Sequence, residues 1–150
     1  MLKAKDIMTA EVVTVTPQTS VEDLAKILME KRISGVPVVD DTGALVGIVT
    51  ENDLIRKEKR LHIPTVFRIL DAVVYLEGVK QFDQDLKRMV AGKVGDICAQ
   101  DVITVDEETT VTEIATIMSE KGVHLIPVVR DGRLVGIIGK LDVVRAISMK

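Results

Sequence analysis

The 150 residues contain no tryptophan, one tyrosine, two phenylalanines and one cysteine. The single cysteine, Cys98, excludes an internal disulfide, and with only two histidines beside it no zinc-ligand spacing exists. A lone thiol fits a reducing compartment. Long apolar runs are missing as well: stretches such as residues 72–76 fall far short of the roughly 18 residues a membrane span needs. The opening Met1-Leu2-Lys3-Ala4-Lys5-Asp6 has no apolar core of a signal peptide, so a soluble cytoplasmic protein is expected. Excess positive charge is also lacking. Lys plus Arg number 20 against 23 Asp plus Glu, a net charge of −3, which argues against a nucleic-acid partner. No Ser/His/Asp set, Gly-rich phosphate loop or carboxylate pair with metal spacing is visible, so neither catalysis nor a resident metal is expected.

What is abundant is branched and aliphatic. The chain holds 24 Val, 15 Ile and 12 Leu. Val and Ile are stiff at the first side-chain torsion and suit pleated sheet, so a sheet-containing core is expected.

The chain also repeats itself. Asp6-Ile7 recurs as Asp96-Ile97, Glu30-Lys31 as Glu120-Lys121, and Pro37-Val38-Val39 as Pro127-Val128-Val129. One residue is lost in the turn after Asp41. Leu45-Val46-Gly47-Ile48 then recurs as Leu134-Val135-Gly136-Ile137, and Asp53 and Arg56 as Asp142 and Arg145. In all, 22 of 50 aligned positions are identical, which is a duplication. Each copy reads as strand, helix, strand, strand, helix. Val12–Thr16 is a short β-branched run, and Ser20–Lys31 is helical, with Val21, Leu24, Ala25 and Leu28 at the 3–4 spacing. Ser20-x-x-Asp23 and Thr110-x-x-Glu113 are capping-box starts. Val36–Asp40 and Leu45–Val49 flank a turn whose counterpart, Asp131-Gly132, is a hairpin signal. A last helix begins after Thr50, and its counterpart after Gly139. One such unit is marginal alone, whereas two packed sheet to sheet bury both apolar faces. The fold class expected is α+β: two tandem β-α-β-β-α repeats, residues 1–56 and 93–150, around an insert, 57–92. The insert reads as two helices, roughly 64–76 and 79–90, and holds all three aromatics, Phe67, Tyr75 and Phe82. These helices either pack back on the repeats or present a dimer or partner surface.

The motifs Asp6-Ile7-Met8-Thr9, Ile33-Ser34-Gly35-Val36-Pro37-Val38-Val39-Asp40 and Gly47-Ile48-Val49-Thr50-Glu51-Asn52-Asp53-Leu54, with their second copies, resemble a tandem cystathionine-β-synthase (CBS) domain pair. The repeats cover about three quarters of the chain, and the order, spacing and duplication of the motifs make the match specific. The resemblance implies a disc-like module, with two clefts that often bind adenosine-containing ligands and with a regulatory role toward a partner protein.

The spacing Thr50-Glu51-Asn52-Asp53 has two readings at a strand-to-helix junction. One is a cap, with Thr50 and Asp53 closing the helix start. The other is a ligand site: free N–H groups and the positive dipole end face a phosphate, Thr50 donates to it, and Asp53 accepts from ribose hydroxyls. The resemblance favours the second. By resemblance, the Thr50/Asp53 site, with Asn52, is completed by Asp96, Val102 and Ile103 around the base and by His124, Leu125 and Pro127. The other site pairs Asp142, Gly139 and Lys140 with Asp6, Val12, Val13, Ser34, Gly35 and Pro37. Gly139 stands where Ser or Thr is expected, so this second site is expected to be the weaker. Loss of a charge-assisted hydrogen bond of roughly 1.5–3 kcal/mol corresponds to about 10- to 150-fold in affinity. His124 faces phosphate by resemblance. Arg56 and Arg145 either face phosphate or sit on the helix surface. Cys98 reads as a small apolar filler, His62 as a surface residue, and the basic run 56–60 as the solvated end of a helix.

The function expected is a regulatory module that senses AMP, ADP, ATP or S-adenosylmethionine and requires no cofactor. It works as a homodimer and signals to a separate effector protein, with no nucleic-acid or membrane partner. The alternative is a protein-interaction module with vestigial clefts.

Overall fold

The computed structural model describes residues 1–60 and 92–149, with side chains as far as Arg56 in the first stretch. The two-helix insert, its aromatics and His62 lie outside the described residues.

The duplication is realised element by element. The first copy contains α1 (Ala4–Ile7), α2 (Val21–Lys31), β1 (Gly35–Val39), β2 (Leu45–Thr50) and α3 (Glu51–Arg60). The second contains α4 (Val94–Ile97), α5 (Val111–Lys121), β3 (Leu125–Arg130), β4 (Arg133–Gly139) and α6 (Lys140–Ser148). Both expected helix starts are capped. The Asp23 N–H donates to Ser20 Oγ at 3.0 Å, and the Glu113 N–H donates to Thr110 Oγ1 at 3.2 Å. α2 ends on left-handed Arg32 (φ 54°), where α5 ends on Gly122 (φ 64°).

β1 and β2 form one antiparallel hairpin, β3 and β4 another. The second turns on Asp131 and Gly132 with φ of 51° and 79°, the two positive values that a type I′ turn requires. The first is one residue longer. Asp40 Oδ1 holds it together by accepting from the Thr42 hydroxyl at 2.6 Å, the Thr42 N–H at 2.9 Å and the Ala44 N–H at 3.0 Å. These bonds, that of the Thr42 hydroxyl foremost, lower the Asp40 carboxyl below its ordinary value.

The strand expected over Val12–Thr16 is reduced to a single parallel bridge between Val15 and Val38, and its counterpart is Val105 with Val128. The ladder stops there for a local reason. The Thr16 N–H is taken by Thr19 Oγ1 at 3.1 Å, the Asp106 N–H by Thr109 Oγ1 at 3.2 Å, and the chain turns away from the sheet.

The buried side chains fall into two clusters, one per half. Leu24, Leu28, Val36, Val38 and Val49 centre the first; Ile114, Met118, Ile126, Val128 and Ile138 centre the second. The opening segments are exchanged between them. Ala4 is buried in the second cluster and Val94 in the first. Backbone bonds fix the exchange: the Ala4 N–H donates to Thr109 O (2.7 Å), the Val111 N–H to Leu2 O (3.0 Å), the Val94 N–H to Thr19 O (2.8 Å) and the Val21 N–H to Gly92 O (3.0 Å). Thr9 then bridges Ile137, and Ala99 bridges Ile48. Neither half closes its core with its own segment, so the two copies are interlocked.

Candidate functional site

The interlock leaves a cleft of about 740 Å³ between the halves. The starts of α3 and α6 both open into it, because β2 and β4 each run straight into a helix. The antiparallel pairing sets Gly35 opposite Thr50 and Leu125 opposite Gly139 at these two junctions. The Glu51 N–H donates to Ser34 O at 2.8 Å and the Lys140 N–H to His124 O at 3.0 Å. The loops before β1 and β3 are therefore tied to the same two helix starts.

Both aspartates act as the capping reading of their motif expects. Asp53 Oδ2 accepts from the Thr50 N–H at 2.8 Å, and the Thr50 hydroxyl lies 3.3 Å from the same oxygen. Asp142 Oδ2 accepts from the Gly139 N–H at 2.8 Å. Each carboxylate thus closes its helix with one oxygen. The other oxygen has an arginine one turn on: Arg56 at 3.7 Å from Asp53 Oδ1 and Arg145 at 3.4 Å from Asp142 Oδ1. The two carboxylates are 12% and 22% exposed, so each is held in place and only partly open to solvent.

Of the residues expected at the first site, Thr50, Asn52, Asp53, His124 and Leu125 line the cleft. Of those expected at the second, Val12, Val13, Ser34, Gly35, Gly139, Lys140 and Asp142 do. Six others do not. Pro37 and Pro127 are fully buried in β1 and β3, below 2% exposure, and serve as core. Asp6 and Asp96 spend a carboxylate oxygen on the Lys3 N–H (2.9 Å) and the Lys93 N–H (3.1 Å) at the starts of α1 and α4. Val102 and Ile103 are half-buried, and neither is among the residues that line the cleft.

Residues that the motifs did not suggest also line it, among them Glu11, Lys31, Arg32 and Glu51. Lys31 and Arg32 arrive there because α2 terminates on the left-handed Arg32. The signal lay in the repeat, which carries Gly122 at the position of Arg32. Arg56 lines the cleft and Arg145 does not. Cys98 packs against the first core at Gly47, and burial foremost pushes its thiol above its ordinary value. Among the described residues no group of His, Cys, Asp and Glu has metal-binding geometry. No described helix is long and apolar enough to cross a membrane.

A family model described as "CBS domain" matches residues 4–60 and 94–149. An uncharacterised protein of Methanocaldococcus jannaschii is 28% identical over 95% of this chain and 89% of its own length. The chloroplastic CBS domain-containing protein CBSX2 of Arabidopsis thaliana is 33% identical over 88% of this chain. The match spans 57% of that plant protein. Among solved structures, CBSX2 in complex with AMP superposes with a TM-score of 0.76 at 31% identity, covering 99% of this chain and 98% of that one. The CBS domain pair of protein MJ0100, in complex with 5′-methylthioadenosine and S-adenosylmethionine, gives 0.74 at 27% identity, with the same coverage.

Proposed function

The chain belongs to the CBS domain family, and from that premise we propose that it is a regulatory module that senses an adenosine-containing ligand in the cleft between its halves. The observation that carries the reading is the Thr50/Asp53 junction. A partly exposed carboxylate is held in place by the cap, a hydroxyl stands beside it, and the start of α3 lines the same space. A ribose offers two hydroxyls to the carboxylate, and a phosphate accepts from the hydroxyl and the helix start. Val12, Val13 and Ile33 supply apolar walls suited to a flat base. A cleft of 740 Å³ lies within the roughly 300–1,000 Å³ common for small-molecule sites. Relatives of this fold that hold AMP, or 5′-methylthioadenosine and S-adenosylmethionine, support the ligand class.

Asp53 is assigned the ribose, Thr50 and Asn52 the 5′ substituent, and His124 and Lys140 the outer charge of the ligand. Signalling is by population shift: a ligand that touches both halves favours the arrangement in which both touch it. The module acts in the cytoplasm as a homodimer and reports to a separate effector protein. Ile55 on α3, Leu141, Val144 and Ile147 on α6 and the adjoining Met149 are 54–75% exposed, a surface fit for such contacts. The same apolar set supports a second reading, an interaction module whose cleft is vestigial.

Thermal melting with AMP, ADP, ATP and S-adenosylmethionine separates the two. A sensing module is stabilised by about 2.7 kcal/mol at 100 times the dissociation constant of its ligand. Unchanged melting with all four compounds would leave only the interaction module.

A further inference from the structure

Resting on the nucleotide reading above, we infer that the cleft takes one adenosine ligand per chain, at the Thr50–Asp53 end, and that Leu125 occupies the place of a second. The observation is a large-for-small exchange between cross-strand partners. In the first hairpin Gly35 stands opposite Thr50; in the second Leu125 stands opposite Gly139. Each pair contains one glycine, but on opposite strands.

Sterics enforce the exchange at the first pair. A Cβ on Gly35 would meet Val49 O at 2.8 Å and Thr50 Cγ2 at 2.9 Å. The backbone of β2, with Thr50 and Leu125, therefore requires a glycine at this position. At the second pair, a Cβ on Gly139 would lie 3.7 Å from Asp142 Oδ2 and 3.9 Å from Leu125 Cδ1, which is ordinary contact. The isobutyl group of Leu125 thus stands within van der Waals contact of the place where a side chain on Gly139 would begin. It also reaches the first half, with Leu125 Cδ2 3.0 Å from the Cβ position of Gly35.

The two helix starts consequently present different chemistry to the same cleft. At α3 the ligand meets a hydroxyl, a carboxylate and backbone N–H groups. At α6 the carboxylate and the helix start recur, but the hydroxyl is missing and an apolar side chain stands across from the cap residue. A phosphate placed there would meet leucine where the other end offers a hydroxyl, which is less favourable. Leu125 is accordingly a specificity-determining residue. It fixes which end binds and leaves the Asp142 end the disfavoured one.

The test is the stoichiometry of calorimetric titration on the full chain, with AMP or, where it stabilises more, S-adenosylmethionine. The wild type is expected to bind one molecule per chain. The double variant Leu125→Gly with Gly139→Thr recreates the Gly35/Thr50 pair and is expected to bind two. Leu125→Ala alone, a milder change should the double variant not fold, is expected to show a second, weaker event. Two equal sites in the wild type would overturn the inference and leave the nucleotide reading standing. A single site in a folded double variant, or in folded Leu125→Ala, would overturn it equally. No binding of either compound to the wild type would overturn the nucleotide reading and this inference with it.

Discussion

The two ends of the cleft descend from one ancestral junction and now differ at several positions. Where the first has Gly35, Thr50 and Glu51, the second has Leu125, Gly139 and Lys140. The aspartate and the arginine one turn later are kept at both ends, in the same geometry to within a few tenths of an ångström. What the pair shares is a helix cap. What distinguishes them is the hydroxyl and the space around it. Capping alone therefore does not explain the Thr50 end: Gly139 lacks the hydroxyl, and α6 starts with the same Asp142 bond to the N–H of its cap residue.

The halves differ less in their cores, and the largest predicted effects test that equivalence. Leu24→Ala and Ile114→Ala remove equivalent, fully buried side chains, and each should cost about 2–5 kcal/mol by chemical denaturation. Because Val94 and Ala4 are exchanged between the cores, either substitution should lower a single cooperative transition. Two separate transitions would break the interlocked picture.

The glycines sharpen the contrast at the cleft. Gly35→Ala forces a Cβ against backbone Val49 O and should cost about 1–3 kcal/mol. Gly139→Ser meets only ordinary contacts and should stay within about 0.5 kcal/mol of the wild type. Equal costs would erase the asymmetry.

A smaller difference concerns the exchanged segments. Lys3 and Lys5 clasp Glu108 at 2.5 and 2.8 Å, whereas at the equivalent place Lys93 donates to the neutral Gln18 at 2.8 Å. Hydrogen bonds from Lys3 and Lys5 lower the Glu108 carboxyl from 4.5 to about 2. A depressed folded value stabilises above the unfolded one, so this contribution is complete above pH 4.5 and disappears as pH falls toward 2. Lys5 is raised above 10.5 by the same hydrogen bond, so its share is present below that value and disappears in stronger base. All three side chains are well exposed, so the effect is small and weakened by salt. Glu108→Gln, which copies the first half, should flatten the acid limb of a stability–pH curve between pH 4.5 and 2. An unchanged acid limb would show that the clasp contributes nothing.

Local chemistry made most of this architecture legible. Caps at Ser20 and Thr110, the Asp131-Gly132 hairpin and the apolar faces of α2 and α5 all follow from spacing. Four features did not. The segments around Ala4 and Val94 are too short to show a period, so neither their burial nor their exchange between the cores was visible. Val12–Thr16 has strand composition, but the Thr16 and Thr19 side chain bonds end the ladder at one bridge. Pro37 and Pro127 belong to conspicuous motifs because the core needs them, and Asp6 and Asp96 because short helices need capping. A motif preserved in both copies therefore does not by itself distinguish a structural residue from one at the cleft. The pairing of Leu125 with Gly139 was hidden for the opposite reason: two departures from the repeat, far apart in sequence, become one feature only when the strands pair.

The most direct test of the central claim is AMP affinity in the wild type, Asp53→Ala and Asp142→Ala, measured by calorimetry with melting curves as a check on folding. Losing the cap acceptor should cost each variant roughly 0.5–2 kcal/mol of stability. Affinity should fall about 10- to 150-fold in Asp53→Ala, the loss of one charge-assisted hydrogen bond, and stay near the wild type in Asp142→Ala. Equal loss in both variants, or loss in Asp142→Ala alone, would contradict the assignment of the ligand to the Thr50–Asp53 end.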